Sequence, residues 1–424
     1  MALTKIGTDG VKDDAVTSDK VANSINSAIA ANTAKDLTAL SAANLTSGTI
    51  PDARFPATLP AISGANLTNL PPNRVNRNLI INGAMTIAQR GTSSTSTGYH
   101  TVDRFANSWS GTDEACTQAQ ADVASGTTPY TLGFRKALKI TNGNQTSGAE
   151  ANDIVYIEHM IEAQDIANSG WNYTSSSSYI TLSFWVKSSV SQDFKGYLRT
   201  ADGTSQIYPY STGTLSANTW TKVTKTISGN SNLQFDNNND TGLQLYLWPY
   251  IGATYTDAGV TENAWAAYAS GTRTPVSAST WFTTNDATFE ITGFQLEVGS
   301  VATDFEHKSF ADEIIRCERY YRRDAADGVT HYRFAQGQCT SSTGTQYVVK
   351  WPIRMRATPT YAVSGTITAY TVNSQKSTSS HALLDHNTQG GIMTCTASGL
   401  SAGNCVDLIA SNDGNAYIEF IAEL

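Results

Sequence analysis

Tyr246, Trp248 and Tyr250 alternate with Leu243, Leu245 and Leu247, so in an extended chain the three rings share the face opposite the leucines. Flat rings in such a row are the groups that stack on the apolar face of a pyranose, while Asn, Asp, Gln and backbone groups fix its hydroxyls. Trp171, Tyr173, Tyr208 and Tyr210 fall in predicted loops or strand ends and enlarge the set. Packing against a neighbouring subunit or domain accounts equally well for any one of these rings.

Other residue types point to other chemistry. Glu158 and Glu162 are four apart on a predicted helical segment with His159 beside them, the pattern to weigh for the paired acids of a glycosidase. Apolar Val155, Ile157, Met160, Ile161 and Ile166 surround them and no strand-end carboxylate partners them, so the reading is non-enzymatic. Asp236, Asn237, Asn238, Asn239 and Asp240 offer the oxygens a hard cation takes. They lack the spacing of a calcium hand and read as a polar turn. His381 and His386, with Asp385 between, read as solvated loop residues rather than metal ligands. Arg316, Arg319, Arg322 and Arg323 form a basic cluster that would draw acidic glycans, yet a helix end and neighbouring acids explain it too. No GxSxG, HExxH, P-loop or GxGxxG occurs in a strand-to-helix context, and no cofactor is expected.

The composition narrows the elements that position these groups. Of 424 residues only 15% are charged, against about a quarter in ordinary soluble proteins. Ser, Thr, Asn and Gly fill the difference, which favours strands and turns over helices. A net charge of -8 argues against a nucleic-acid partner, because that affinity comes from clustered Lys and Arg. Five dispersed cysteines without CxxC spacing read as mostly free thiols of a protein made in a reducing cytoplasm. Neither a signal peptide nor a membrane-length apolar run is apparent, so a soluble chain is expected.

Residues 1–76 hold one aromatic, Phe55, and too little apolar surface for a core of their own. Val21, Ile25, Ala28 and Ile29 predict a helix with a narrow seam. Leu40–Thr46 is echoed by Ile62–Thr68, each copy leading to an Ile-Pro or Leu-Pro pair. Three chains wound together would bury Leu45, Ile50, Leu67 and Leu70, giving a shaft; a disordered linker is the alternative. Strand patterns begin near residue 77. Ile180, Leu182, Phe184 and Val186 alternate with polar or amphipathic neighbours. Phe289 and Ile291 are out of phase with Phe294, Leu296 and Val298, and a bulge at Gly293 would put both groups on one face. Ser309 and Asp312 predict the start of a connector helix over 309–323, and 324–424 read as a smaller β-sandwich built from four recognisable strands.

Three stretches carry a resemblance: RNLIINGAMTIAQRGTS with VDRF (Arg77–Ser93, Val102–Phe105), VYIEHMIEAQDIANSGWNYTSSSSYITLSFWVKSS (Val155–Ser189) and FEITGFQLEVGSVATDFEHKSFADEIIRCERYYRR (Phe289–Arg323). Together they resemble bacteriophage tail-fibre receptor-binding proteins with a carbohydrate-binding-module-like jelly roll. The resemblance covers the frame of 77–323, and the amino-terminal repeat looks like the shafts of such fibres. It implies a homotrimer in the virion, joined to tail or baseplate proteins through residues 1–76 and meeting a host surface glycan such as lipopolysaccharide. The expected fold is mainly β: amino-terminal helix and trimeric shaft, sandwich over 77–308, connector helix, and carboxyl-terminal sandwich tip. A structural fibre or adaptor joining the tail to another receptor-binding protein is the alternative. A polysaccharide depolymerase comes last, because no β-helix ladder is apparent.

Overall fold

The alternating runs between residues 93 and 298 become the twelve strands of a sandwich. In chain order they are β1 (Ser93–Ser94), β2 (Ala106–Ser110), β3 (Thr117–Asp122), β4 (Lys136–Thr141), β5 (Ile154–Glu162), β6 (Tyr179–Ser188), β7 (Asp193–Thr200), β8 (Gln206–Thr214), β9 (Thr221–Ser228), β10 (Thr241–Ile251), β11 (Ala266–Ala267) and β12 (Thr288–Val298). One sheet runs β1-β3-β4-β12-β6-β9 and the other β11-β8-β7-β10-β5-β2. Their inward faces meet in one apolar core, where Phe184 stacks on Phe294 at 4.4 Å between ring centroids. The fold comes from a computed structural model that describes residues 76–424 except 279 and 373, together with 25 and 27. Apart from those two helical positions and residue 76, the expected amino-terminal helix and shaft lie outside the described residues.

Gly293 does what the phase change in β12 requires. Its φ is +64°, and the register against β6 shifts between Thr292 and Gln295. Phe289, Ile291, Phe294 and Leu296 are consequently all fully buried in the same core. A Cβ at this position would lie 2.7 Å from the Phe134 ring, so both conformation and space favour glycine.

Two helical expectations are corrected. Val155–Glu162 is strand β5, and helix follows only over Ala163–Ala167 (α1 among those that bear on the site). Val155, Ile157 and Ile161, with His159 in the same phase, alternate toward the core, a period of two that pairing with β10 satisfies. The connector helix, α2 (Phe310–Glu318), starts as expected, with the Ser309 hydroxyl accepting from the Asp312 amide at 3.1 Å. It stops at Glu318 because Tyr321–Ala325 is already strand β13, paired with Tyr417–Ile421. The strand preference of two adjacent tyrosines and a waiting partner strand outweigh helix continuation.

Beyond β13 lie β14 (Arg333–Cys339), β15 (Gly344–Lys350), β16 (Thr360–Ser364), β17 (Ile367–Thr371), β18 (Ser374–Asn387), β19 (Gly390–Ala397), β20 (Cys405–Ala410) and β21 (Tyr417–Ile421). Six of them close in the order β14-β15-β19-β18-β17-β20, and β13-β21-β16 form a separate three-stranded sheet. The tip is thus all-β, as expected, and its main sheet closes into a barrel where a smaller β-sandwich was expected. Pairing of β14 with β20 completes the ring and leaves no unpaired edge in it. Tyr347, Met393 and Leu408 fill it, each fully buried.

The described residues from 76 to 424 form one compact unit, and charged groups join its two parts. The Glu423 carboxylate accepts from Arg104 and, at 3.1 Å, from Arg90. Arg104 is 0% exposed, lies 3.5 Å from the centre of the Tyr320 ring and donates to the Met160 carbonyl at 2.8 Å. Glu162, also without exposure, holds Arg319 through both carboxylate oxygens at 2.6 and 2.7 Å and accepts from the Tyr320 hydroxyl at 2.6 Å. All five cysteines are free. Among the described residues no helix is long and apolar enough to cross a membrane.

Candidate functional site

The outward face of the β10-containing sheet gathers the polar and aromatic groups that the core rejects. Alternation places Tyr156 and Glu158 of β5, Gln244, Tyr246 and Trp248 of β10, Tyr197 and Arg199 of β7, and Ile207 of β8 on this side. The register puts Tyr246 between Glu158 and Tyr197, and Gln244 between Met160 and Arg199. The rings touch as a group: Tyr156–Trp248 at 4.7 Å, Tyr197–Tyr246 at 4.6 Å, and Tyr246 nearly parallel to Trp248 at 5.9 Å.

Half of this face is roofed and half is open. The chain between β10 and β12 folds back over it, tied by Asn263 N to Pro209 O at 2.7 Å and Tyr268 N to Ser205 O at 2.9 Å. Beneath this roof Trp248 and Tyr197 are buried, with the Arg273 guanidinium 4.5 Å from the Tyr255 ring centre. Tyr156, Gln244, Arg199 and Tyr246 remain partly exposed along the open side. Arg199 lies 3.8 Å from the centre of the Tyr268 ring and donates through Nε to Ser205 Oγ at 3.0 Å. A groove of about 490 Å³, lined by Ile207, Pro209, Val260 and Trp265, continues along the roof's edge.

Glu158 is the acid beside Tyr246 on this face. Burial raises its pKa, against the hydrogen bond it accepts from the Tyr246 hydroxyl and the nearby Arg199 charge. Its Oε1, Trp248 Nε1 and Arg273 Nε are buried without a protein partner. The open side offers a hydroxyl-rich ligand the partly exposed rings of Tyr156 and Tyr246 and the polar ends of Gln244 and Arg199. Glu162 does not join Glu158: it is held by Arg319 and Tyr320, and four residues along a strand span roughly 13 Å. Paired glycosidase carboxylates stand about 5–9.5 Å apart.

Of the seven rings singled out by sequence, Tyr246 alone lies partly exposed on this face. Trp248 is on the same face but under the roof, at 1% exposure. Tyr250 is turned inward, because the β10–β5 register shifts between Leu247 and Tyr250; it stacks on Phe282 at 4.4 Å. Tyr208 and Tyr210 lie within β8 rather than in a loop and point into the core. Trp171 is buried against Phe235, and Tyr173 packs at right angles to the same ring at 5.0 Å. Tyr156, Tyr197 and Arg199 were missed, although their alternation with Val155, Ile157, Gly196 and Leu198 carried the signal. Among the described residues no group of three or more His, Cys, Asp or Glu side chains is arranged to hold a metal.

No protein-family model matches the sequence, and no curated protein matches it. Solved structures with similarity include the enzymatically active domain of bacteriophage CBA120 tailspike protein 4: 12% identity, 53% of this chain, 22% of that one, TM-score 0.29. The CBM22-1 xylan-binding domain of Paenibacillus barcinonensis Xyn10C shares 13% identity over 46% of this chain and 87% of its own, with TM-score 0.24. A family 11 carbohydrate-binding module from Clostridium thermocellum, solved with a mixed-linked tetrasaccharide, shares 9% over 50% and 98%, with TM-score 0.24. The chain thus spans about a fifth of the tailspike domain's length.

Proposed function

We propose that this chain is a virion attachment subunit that binds a host surface glycan without cleaving it, through the outward face of β5, β10 and β7. The observation that carries the reading is the coincidence, on one open face, of a contiguous aromatic group with the partly exposed polar side chains of Gln244 and Arg199. Binding without turnover is part of the proposal, and it is supported by the separation of Glu158 from Glu162, which is committed to the junction. Trimerisation through residues 1–76 belongs to the same proposal, because multiplying weak sites is what makes reversible contacts hold a particle firmly.

Glycan-array binding of the intact protein tests it. Wild type is expected to bind a defined subset of neutral or acidic glycans, and Tyr246→Ala to weaken that binding roughly tenfold, the equivalent of losing about 1.4 kcal/mol of stacking and desolvation. An array and host cells that stay blank for the intact oligomer would remove the attachment reading and leave the adaptor role. Release of new reducing ends from a bound polysaccharide would contradict binding without cleavage.

A further inference from the structure

A second concavity lies where the sandwich meets the barrel, and its chemistry differs from that of the aromatic face. About 510 Å³ in volume, it is lined by Gln164, Asn237, Asn238 and Asn239 from the sandwich and by Arg319, Arg354, Arg356 and Thr388 from beyond it. The Asn-rich turn that sequence alone left without a role is therefore one wall of an interdomain pocket.

Three acceptors in that wall are already in use. Asn237 Oδ1 accepts from Asn168 at 2.8 Å, Asn238 Oδ1 from the Asp240 amide at 3.0 Å, and Thr388 Oγ1 from Arg354 Nε at 3.0 Å. Still on offer are donors, the amide nitrogens of Asn237 and Asn238 and the terminal nitrogens of Arg354, beside the side-chain oxygens of Gln164 and Asn239. The charges, by contrast, are one-sided. Arg319 is neutralised by Glu162, but Arg354 and Arg356 take part in no ion pair with a carboxylate in the described residues. Arg356 instead donates to the carbonyls of Ala422, Asn239 and Glu423 at 2.7–3.0 Å, so it is fixed in place with its charge uncompensated. Asp165 and Asp240 flank the pocket without lining it. On a chain whose net charge is -8, this leaves a local positive site rich in donors.

We infer that this interdomain pocket binds an oxyanion, the carboxylate or phosphate of an acidic saccharide. Arg354 is the primary contact, because its planar pair of terminal nitrogens matches two oxygens of such a group, and the Asn237 and Asn238 amides complete the ring of donors. Arg356 is a positioning residue that holds the turn at Asn239 against the carboxyl-terminal segment. The oxyanion rests on the pocket alone; only the saccharide part rests on the attachment reading.

Calorimetric titration of the intact protein with glucuronate, glucose 1-phosphate and glucose tests the inference. At least one charged probe is expected to bind saturably at low salt, at least tenfold more tightly than glucose, with affinity falling as salt rises. Binding by glucuronate alone identifies a carboxylate site, and by the phosphate ester alone a phosphate site. Arg354→Ala, at an exposed side chain, is expected to weaken that binding at least tenfold with an unchanged unfolding midpoint. Equal binding of glucose and both charged probes, no binding of either charged probe, or an Arg354→Ala protein that binds like wild type would overturn it. Loss of array binding in Tyr246→Ala alone concerns the aromatic face and leaves this result standing.

Discussion

Replacing Glu423 with alanine tests how the barrel and sandwich are held together. The substitution removes the carboxylate shared by Arg104 and Arg90, and leaves Arg104, which has no exposure, with a carbonyl and a ring as its remaining partners. Removing one member of a buried ion pair costs about 3–5 kcal/mol, chiefly because the other charge stays buried. The face of Tyr320 offsets part of this, as a desolvated cation on a ring is worth up to about 2 kcal/mol. The expected net loss is about 3 kcal/mol, or a midpoint lower by roughly 6 °C at about 2 °C per kcal/mol. Differential scanning calorimetry reads it directly. The double variant Arg104→Met, Glu423→Leu should recover most of the loss, since apolar replacement of a buried pair is often neutral. A Glu423→Ala protein less than about 1 kcal/mol below wild type would refute the assignment of this pair as the principal tie.

Two further outcomes are expected. His159 is buried, and burial with the adjacent Arg104 charge holds its pKa well below the usual value, so the folded state refuses a proton that the unfolded chain accepts. Stability from this group is complete above about pH 6.5 and falls by up to about 1.4 kcal/mol per unit below it; urea unfolding from pH 7 to 5 should therefore show a shallower slope for His159→Leu than for wild type. Gly293→Ala should lower stability by about 2–4 kcal/mol, from the left-handed backbone and from overpacking against Phe134, with the same denaturation assay as its measure.

Much of the sandwich was legible because its strands have one buried face and alternate cleanly. Tyr179–Ser188 and Thr288–Val298 are of this kind, and even the irregularity at Gly293 could be read, since only a bulge reconciles two apolar phases. Other features depend on partners distant in sequence. Three barrel strands escaped notice: Ser374–Asn387 is largely polar, Arg333–Cys339 has no β-branched residue, and Cys405–Ala410 is a short run of six, so closure could not be foreseen. The site was half visible. Alternation identified the row of Tyr246 and Trp248, but the register shift that turns Tyr250 inward and the roof that covers Trp248 are tertiary facts. The Glu158–Glu162 pair misled for a related reason: four residues are one helical turn but a long step along a strand.

The roof over the aromatic face has a consequence for how recognition could change over time. It is a surface excursion between β10 and β12 whose ties include main-chain atoms at Asn263 and Tyr268, bonds that do not depend on side-chain identity. The main core beneath belongs mostly to other segments. Exchanging the residues of this excursion would re-cut the rim of the cleft while the strands that carry Glu158 and Tyr246 stay as they are. Under the proposed attachment role, the strands that must stay constant to fold would be separate from the outer part of the excursion, which could follow a changing surface.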